Sequence, residues 1–222
     1  MKNYRPTIPN PMVVVTVAAL VLAGMSSTAK AQFFQNTTGL ASPGTTLTFN
    51  EIILTPFGPP HGLAGNDPLL TSQYASLGVN FTGFYYFNDN DDTAFNTQFP
   101  LIYSYDPSGP GGLNNNLSIL FSSPVSQAAL AVGSIDAANS TVFGAYLGGV
   151  LQGSTTTVST SLGNPDNFYG FTGIVFDELR INTFSGILQA DNLQFTLVPE
   201  PTTVSLLALG GLGLFMLRRK RS

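Results

Sequence analysis

Apolar and polar residues fall into three regimes along this chain. Two uncharged, largely apolar runs, residues 12–24 and 204–217, bracket a long middle in which apolar positions alternate with polar ones or gather in short β-branched and aromatic clusters. Alternation with period two puts successive side chains on opposite faces of a strand. It predicts strands over residues 46–53, 79–81, 83–87, 101–105, 117–121, 128–132, 141–147, 155–161, 170–176, 178–183 and 190–197. Clusters of Pro, Gly, Asn, Asp and Ser at 56–60, 88–92, 107–116, 137–140 and 163–167 supply the turns. One short helix is predicted over 72–77, ahead of Gly78. Many short strands without helical crossovers predict an all-β body, a two-sheet antiparallel β-sandwich. Within it, Phe84 and Tyr86 share one strand face while Tyr85 and Phe87 share the other.

The two apolar runs read differently from the middle. Lys2 and Arg5 precede the first, and Ala29-Lys30-Ala31 follows it with small residues at the two positions a signal peptidase reads. As a helix this run spans about 20 Å against roughly 30 Å of hydrocarbon, so a cleaved signal peptide over residues 1–31 is expected, with Gln32 the mature N-terminus. A retained anchor is the alternative. The second run follows Val198-Pro199-Glu200-Pro201 and ends in Arg218-Arg219-Lys220-Arg221-Ser222. It is a short membrane helix of about 21 Å whose basic end snorkels to the headgroups and stays cytoplasmic, leaving the body outside. Pro199, Glu200 and Pro201, an apolar helix and the terminal cluster Arg218, Arg219, Lys220 and Arg221 together resemble the PEP-CTERM sorting signal. The resemblance covers residues 199–222. It implies an exosortase-type membrane transpeptidase as partner, and a cell-surface or extracellular-matrix destination in a Gram-negative bacterium that makes exopolysaccharide, with biofilm association. A simple tail anchor is the alternative.

Composition narrows the body, residues 32–198. The absence of Cys excludes disulfides, Cys-ligated metals and thiol nucleophiles. Between Gln32 and Pro199 lie eleven acids against Arg180 alone, a net charge of −10, which excludes a nucleic-acid partner because one arginine is no basic footprint for phosphates. The single histidine, His61, sits in a Gly-Pro-Pro-His-Gly turn with no Gly-x-Ser-x-Gly elbow, and no spacing of carboxylates selects a glycosidase pair. The chain therefore reads as a non-enzyme, with a secreted hydrolase as the remote alternative. Asp89, Asp91 and Asp92 form an oxygen-rich loop of the type a hard cation takes, although without the EF-hand pattern; a solvated turn is the other reading. Tyr85 and Tyr105 are candidate sugar-stacking residues, with ordinary core packing as the alternative.

Three further segments carry a second likeness: Phe49-Asn50-Glu51, the run Tyr74-x-x-Leu77-Gly78-Val79-x-Phe81, and Asp191-Asn192-Leu193. They resemble a loose group of secreted jelly-roll, carbohydrate-binding-like domains that often precede a Pro-Glu-Pro tail. The resemblance implies neighbouring first and last strands, with Glu51 and Asp191 as ligands of a structural calcium ion. Asn50 stands where that group has Asp. The expected function is a non-catalytic exported protein associated with polysaccharide. A self-associating biofilm-matrix protein without a specific ligand is the alternative.

Overall fold

The structure is a computed structural model that describes residues 31–52, 54, 67–87, 94–106, 112–135, 140–155, 157–184 and 186–199. Among these residues the protein is antiparallel β-structure with one 3₁₀ turn, Ala75–Leu77. The strands are β1 (Gln32–Asn36), β2 (Thr45–Leu47), β3 (Val79–Thr82), β4 (Tyr85–Phe87), β5 (Leu101–Tyr103), β6 (Tyr105–Asp106), β7 (Gly112–Leu113), β8 (Asn116–Ile135), β9 (Ser140–Leu147), β10 (Val150–Ser154), β11 (Val158–Ser159), β12 (Phe168–Thr183) and β13 (Ile187–Leu197). No helix among the described residues is long and apolar enough to cross a membrane. The apolar runs at 12–24 and 204–217 lie outside them, as do Ala29, His61, Asp89, Asp91 and Asp92.

Two long strands organise the body. The predicted pair 117–121 and 128–132 is one strand, β8, and the pair 170–176 and 178–183 is one strand, β12. The two run antiparallel over most of their length, and both lose register at the same level, where Phe176 pairs Val125 and Glu178 pairs Leu120. Such irregularities bend strands and increase their twist. Pro124 sits at this level, where a residue without an N–H donor is tolerated. On one side of the bend, the C-terminal half of β8 pairs with β13, which continues to β5 and β4, and β1 adds to the first half of β12. On the other side, β3, β9 and β10 complete a second layer.

Inward residues from both halves meet in one core. Leu117, Ile119, Leu179, Ile181 and Phe143 come from the second layer; Ala128, Leu130, Tyr169, Phe171, Leu188 and Phe195 come from the first. The arrangement is the expected all-β, sandwich-like body, consistent with a jelly-roll-like fold. The expected alternation holds in detail at β4, where Phe84 and Tyr86 join this core while Tyr85 and Phe87 join a separate outer cluster. Three departures have local causes. The predicted strand 46–53 stops at Leu47, because the chain turns at Phe49, a non-glycine residue in the left-handed region at φ 58°. The predicted helix 72–77 shortens to the 3₁₀ turn, closed by Gly78 at φ 85°. Strands β1 and β10 appear where no alternation marked them, both at edges of the sheet.

The outward face of the first layer is lined by small residues, Ala129, Ala131, Gly133 and Gly170, and is roofed by the segments around Leu40 and Ala94. At Gly170 an added Cβ meets the Ala128 carbonyl oxygen and lies 2.8 Å from the Ala129 Cα, both backbone of the neighbouring strand β8. No rotamer relieves that contact. Gly170→Ala is expected to destabilise the body by about 3 kcal/mol, read as a lowered urea midpoint. An unchanged midpoint would mean that β8 and β12 do not approach this closely.

Candidate functional sites

The first site grows from the pairing of β2 with β13, in which Thr45, Thr46 and Leu47 face Phe195, Gln194 and Leu193. This brings the segment after β2 beside Asp191 and Asn192, so the expected neighbouring of the Glu51 and Asp191 segments is present. The turn is held from below. The Tyr74 hydroxyl donates to the carbonyls of Phe49 (3.0 Å) and Ile52 (3.3 Å), and the Tyr86 hydroxyl also reaches Phe49 (3.4 Å). The rings of Phe49, Tyr74 and Phe81 pack edge to face, with centroids 5.5–5.9 Å apart. The motif Tyr74-x-x-Leu77-Gly78-Val79-x-Phe81 is thus a lock on the turn: Gly78 closes the 3₁₀ turn, and Val79 N donates back to the Tyr74 carbonyl at 3.2 Å. Burial, first of all, pushes the Tyr74 hydroxyl above its ordinary range, so it stays a donor at any physiological pH.

The two acids at this junction differ. Glu51 is exposed, and its Oε1 accepts from the Thr48 backbone N–H (2.8 Å) and hydroxyl (3.1 Å). Asp191 is 2% exposed; its Oδ2 accepts from Gln98 N (2.9 Å) and its Oδ1 from Asn192 N (2.6 Å). Burial raises the Asp191 carboxyl to about 7; the two N–H donors oppose that shift, and the charge of Glu51 adds to it. Around Asp191 runs an amide network. The Asn96 side chain donates to Asn167 Oδ1 (2.7 Å), Asn167 donates to the Phe95 carbonyl, and Asn192 donates to the Asn96 carbonyl (2.6 Å). Asn96 and Asn192 adopt φ of 57° and 50°, which Asn tolerates better than most residues. Sequence reasoning did not find this network; its only local signal is the Asn content of the two segments. Among the described residues no three His, Asp or Glu side chains gather as a metal cage.

A second site lies on the outward face at the start of β13. Tyr103 is its buried centre. Tyr85 packs on it edge to face at 6.2 Å and Tyr105 stacks on it at 6.3 Å, so the two candidate sugar-stacking residues flank one ring. Phe87 and Phe99 extend the cluster. The Tyr103 hydroxyl donates to the buried Asp67 carboxylate at 2.5 Å, and burial with that carboxylate holds the phenol well above its usual range. Tyr85 and Tyr105 are each half-buried. The result is a fixed aromatic strip with a carboxylate beside it.

The last functional segment begins where the last strand ends. Val198 N donates to the Pro124 carbonyl at 2.9 Å, and one residue later Pro199 opens the Pro-Glu-Pro sequence. The profile of the PEP-CTERM protein-sorting motif matches residues 197–221. The tail is a PEP-CTERM sorting motif. It indicates an exported protein handled by an exosortase-type system. No curated protein and no solved structure matches the chain.

The buried acid gives a pH signature. The folded-state value of Asp191 lies above its ordinary one, so the stability it contributes is fully present below about pH 4 and is lost as pH rises through about 7. In chelator-containing buffer the body is expected to lose about 3 kcal/mol between pH 5 and pH 8. Thermal melts of Asp191→Asn should be flat over the same interval; a variant as pH-dependent as the parent would assign the effect elsewhere.

Proposed function

We propose that this protein is a non-catalytic surface or matrix component. It is cut after Ala31 on export, held in the inner membrane through residues 204–217, and then released by an exosortase-type enzyme to associate with extracellular polysaccharide. The observation that carries this reading is the sorting motif set directly against the last strand. The start of β1 at Gln32 supports the first cut, because removal of residues 1–31 leaves every strand among the described residues intact. The Tyr85–Tyr103–Tyr105 strip supports the sugar partner, since flat rings beside a fixed carboxylate suit the apolar face and hydroxyls of a pyranose. A body of charge −10 repels anionic polymers, which favours neutral glycans.

A structural calcium ion belongs to this reading. Pairing of β2 with β13 brings the segment that carries Glu51 beside the one that carries Asp191, the charge of Glu51 is felt at Asp191, and both offer oxygen donors, as a hard cation requires. Arg180, the only Lys or Arg between Gln32 and Pro199, is bound to Glu178 at 2.7 Å and cannot serve them. A bound ion would supply the missing positive charge. Self-association is the second reading, favoured by β10, an edge strand whose Val150 and Leu151 are 64% and 51% exposed.

Intact-mass measurement of the exported protein tests the sorting: the expected species begins at Gln32 and lacks residues 218–221, and a product retaining Arg218–Arg221 refutes the processing. Retention on neutral glycans is expected to weaken about tenfold, some 1.4 kcal/mol, in Tyr105→Ala. Glycan retention equal to that of the parent removes the tyrosine strip from the reading. Added calcium should raise the melting temperature at pH 8 and abolish its decline between pH 5 and 8; an unchanged melt removes the ion.

A further inference from the structure

The geometry of the chain's exit from the body carries a consequence for its stance on the membrane. We propose that, in the anchored precursor, the end of the body around Ser42, Ser122 and Val198 rests against the lipid headgroups. The Tyr85–Tyr105 strip is then held at the opposite end, facing outward. The proposal rests on the reading of residues 204–217 as a membrane anchor.

Tether length comes first. The chain is tied to the body up to Val198: Thr196 Oγ1 accepts from Gly44 N and from the Gln127 side chain, each at 3.0 Å, and Val198 N binds the Pro124 carbonyl. Only Pro199, Glu200, Pro201, Thr202 and Thr203 then precede the apolar run. Five residues reach at most about 17 Å when fully extended. A globular body of this length is roughly 40 Å across. A tether shorter than half that diameter cannot pass around the body, so the end from which it leaves is the end nearest the bilayer.

The tether, and not charge, sets this placement. Leu197 pairs with Val125 and Val125 with Phe176, so Asp177 and Glu178 lie at the exit level; Glu178 is paired with Arg180, and Asp177 accepts from Gly148 N. The opposite end is fixed by β13 itself. Its ten steps from Leu197 to Ile187 cover about 33 Å. Near its start Ser104 N donates to the Leu188 carbonyl and Leu188 N donates to Ser104 Oγ, both at 2.9 Å, which clamps the strip of Tyr103 and Tyr105 to that end.

The absence of cysteine makes the test direct. The full chain carrying Ser42→Cys, Ser122→Cys or Phe184→Cys is expressed in a host without an exosortase. Membranes are labelled with a bulky, membrane-impermeant maleimide before and after solubilisation in mild detergent, so that intrinsic thiol reactivity cancels. All three positions are exposed, Phe184 at 64% and three residues from the start of β13. Labelling at Ser42→Cys and Ser122→Cys is expected to accelerate several-fold in detergent, and labelling at Phe184→Cys to stay constant. A long Gly/Ser insertion between Val198 and Pro199 should abolish the protection while the chain remains membrane-bound. Uniform rates, or protection at Phe184→Cys instead, in a membrane-bound chain overturn the orientation alone. Recovery of the chain outside the membrane fraction overturns the anchor and the orientation together.

Discussion

The body depends on two backbones that pass through both of its layers. Because β8 and β12 stay paired on either side of a shared irregularity, the position of one layer relative to the other is set by covalent chain and hydrogen bonds as well as by side-chain packing. With no disulfide and a body charge of −10, this continuity is a structural resource the chain has in place of cross-links. It also imposes the small residues. Backbones that cross this closely, under a roof of loops, leave room at Gly133 and Gly170 for nothing larger than hydrogen.

The acidic body handles its charges by separation. Glu178 is held below its ordinary range, first by Arg180 and also by Ser118, while Arg180 lies 4.0 Å over the Tyr146 ring. Asp191 has backbone N–H donors instead of a cation, and these do not recover the cost of burial, so its carboxyl rises to about 7. A buried acid in that condition is a poor stabiliser in its ionised form. Its presence is better explained by what it orders, the segment at Asn96–Gln98 and the turn at Asn192, than by the strength of the bonds it makes.

What was legible in the sequence follows from what each signal depends on. Period-two alternation is local, and it gave the correct faces for Phe84, Tyr85, Tyr86 and Phe87 and the correct sense of β3, β9 and β13. Merging of the strand pairs into β8 and β12 is not local. Across residues 122–127 the pattern is polar with a proline, the signature of a turn, and only the partner strand keeps it extended. No alternation marks strand β1, because Phe33 and Phe34 are adjacent; one packs on the main core and the other on the cluster of Leu40, Ala129, Ala131 and Phe168. Glu51 and Asp191 were placed side by side by resemblance. Their different exposures, and the amide network around Asp191, arise from contacts between residues 71 to 96 apart, which no short-range pattern carries.

The motif around Tyr74 shows how a recurrent sequence can be architectural and still bear on function. Its phenol, ring and glycine serve the turn that contains Glu51, so the geometry of that turn is set by residues more than twenty positions away. The same logic holds at the other end of the chain. Because β13 both pairs with β2 and runs without a linker into the sorting motif, the strand that closes the fold is also the strand that leads to the tail. Pairing of β13 with β8 therefore also fixes where the tail begins: it brings Val198 N to the Pro124 carbonyl, one residue before the Pro-Glu-Pro sequence.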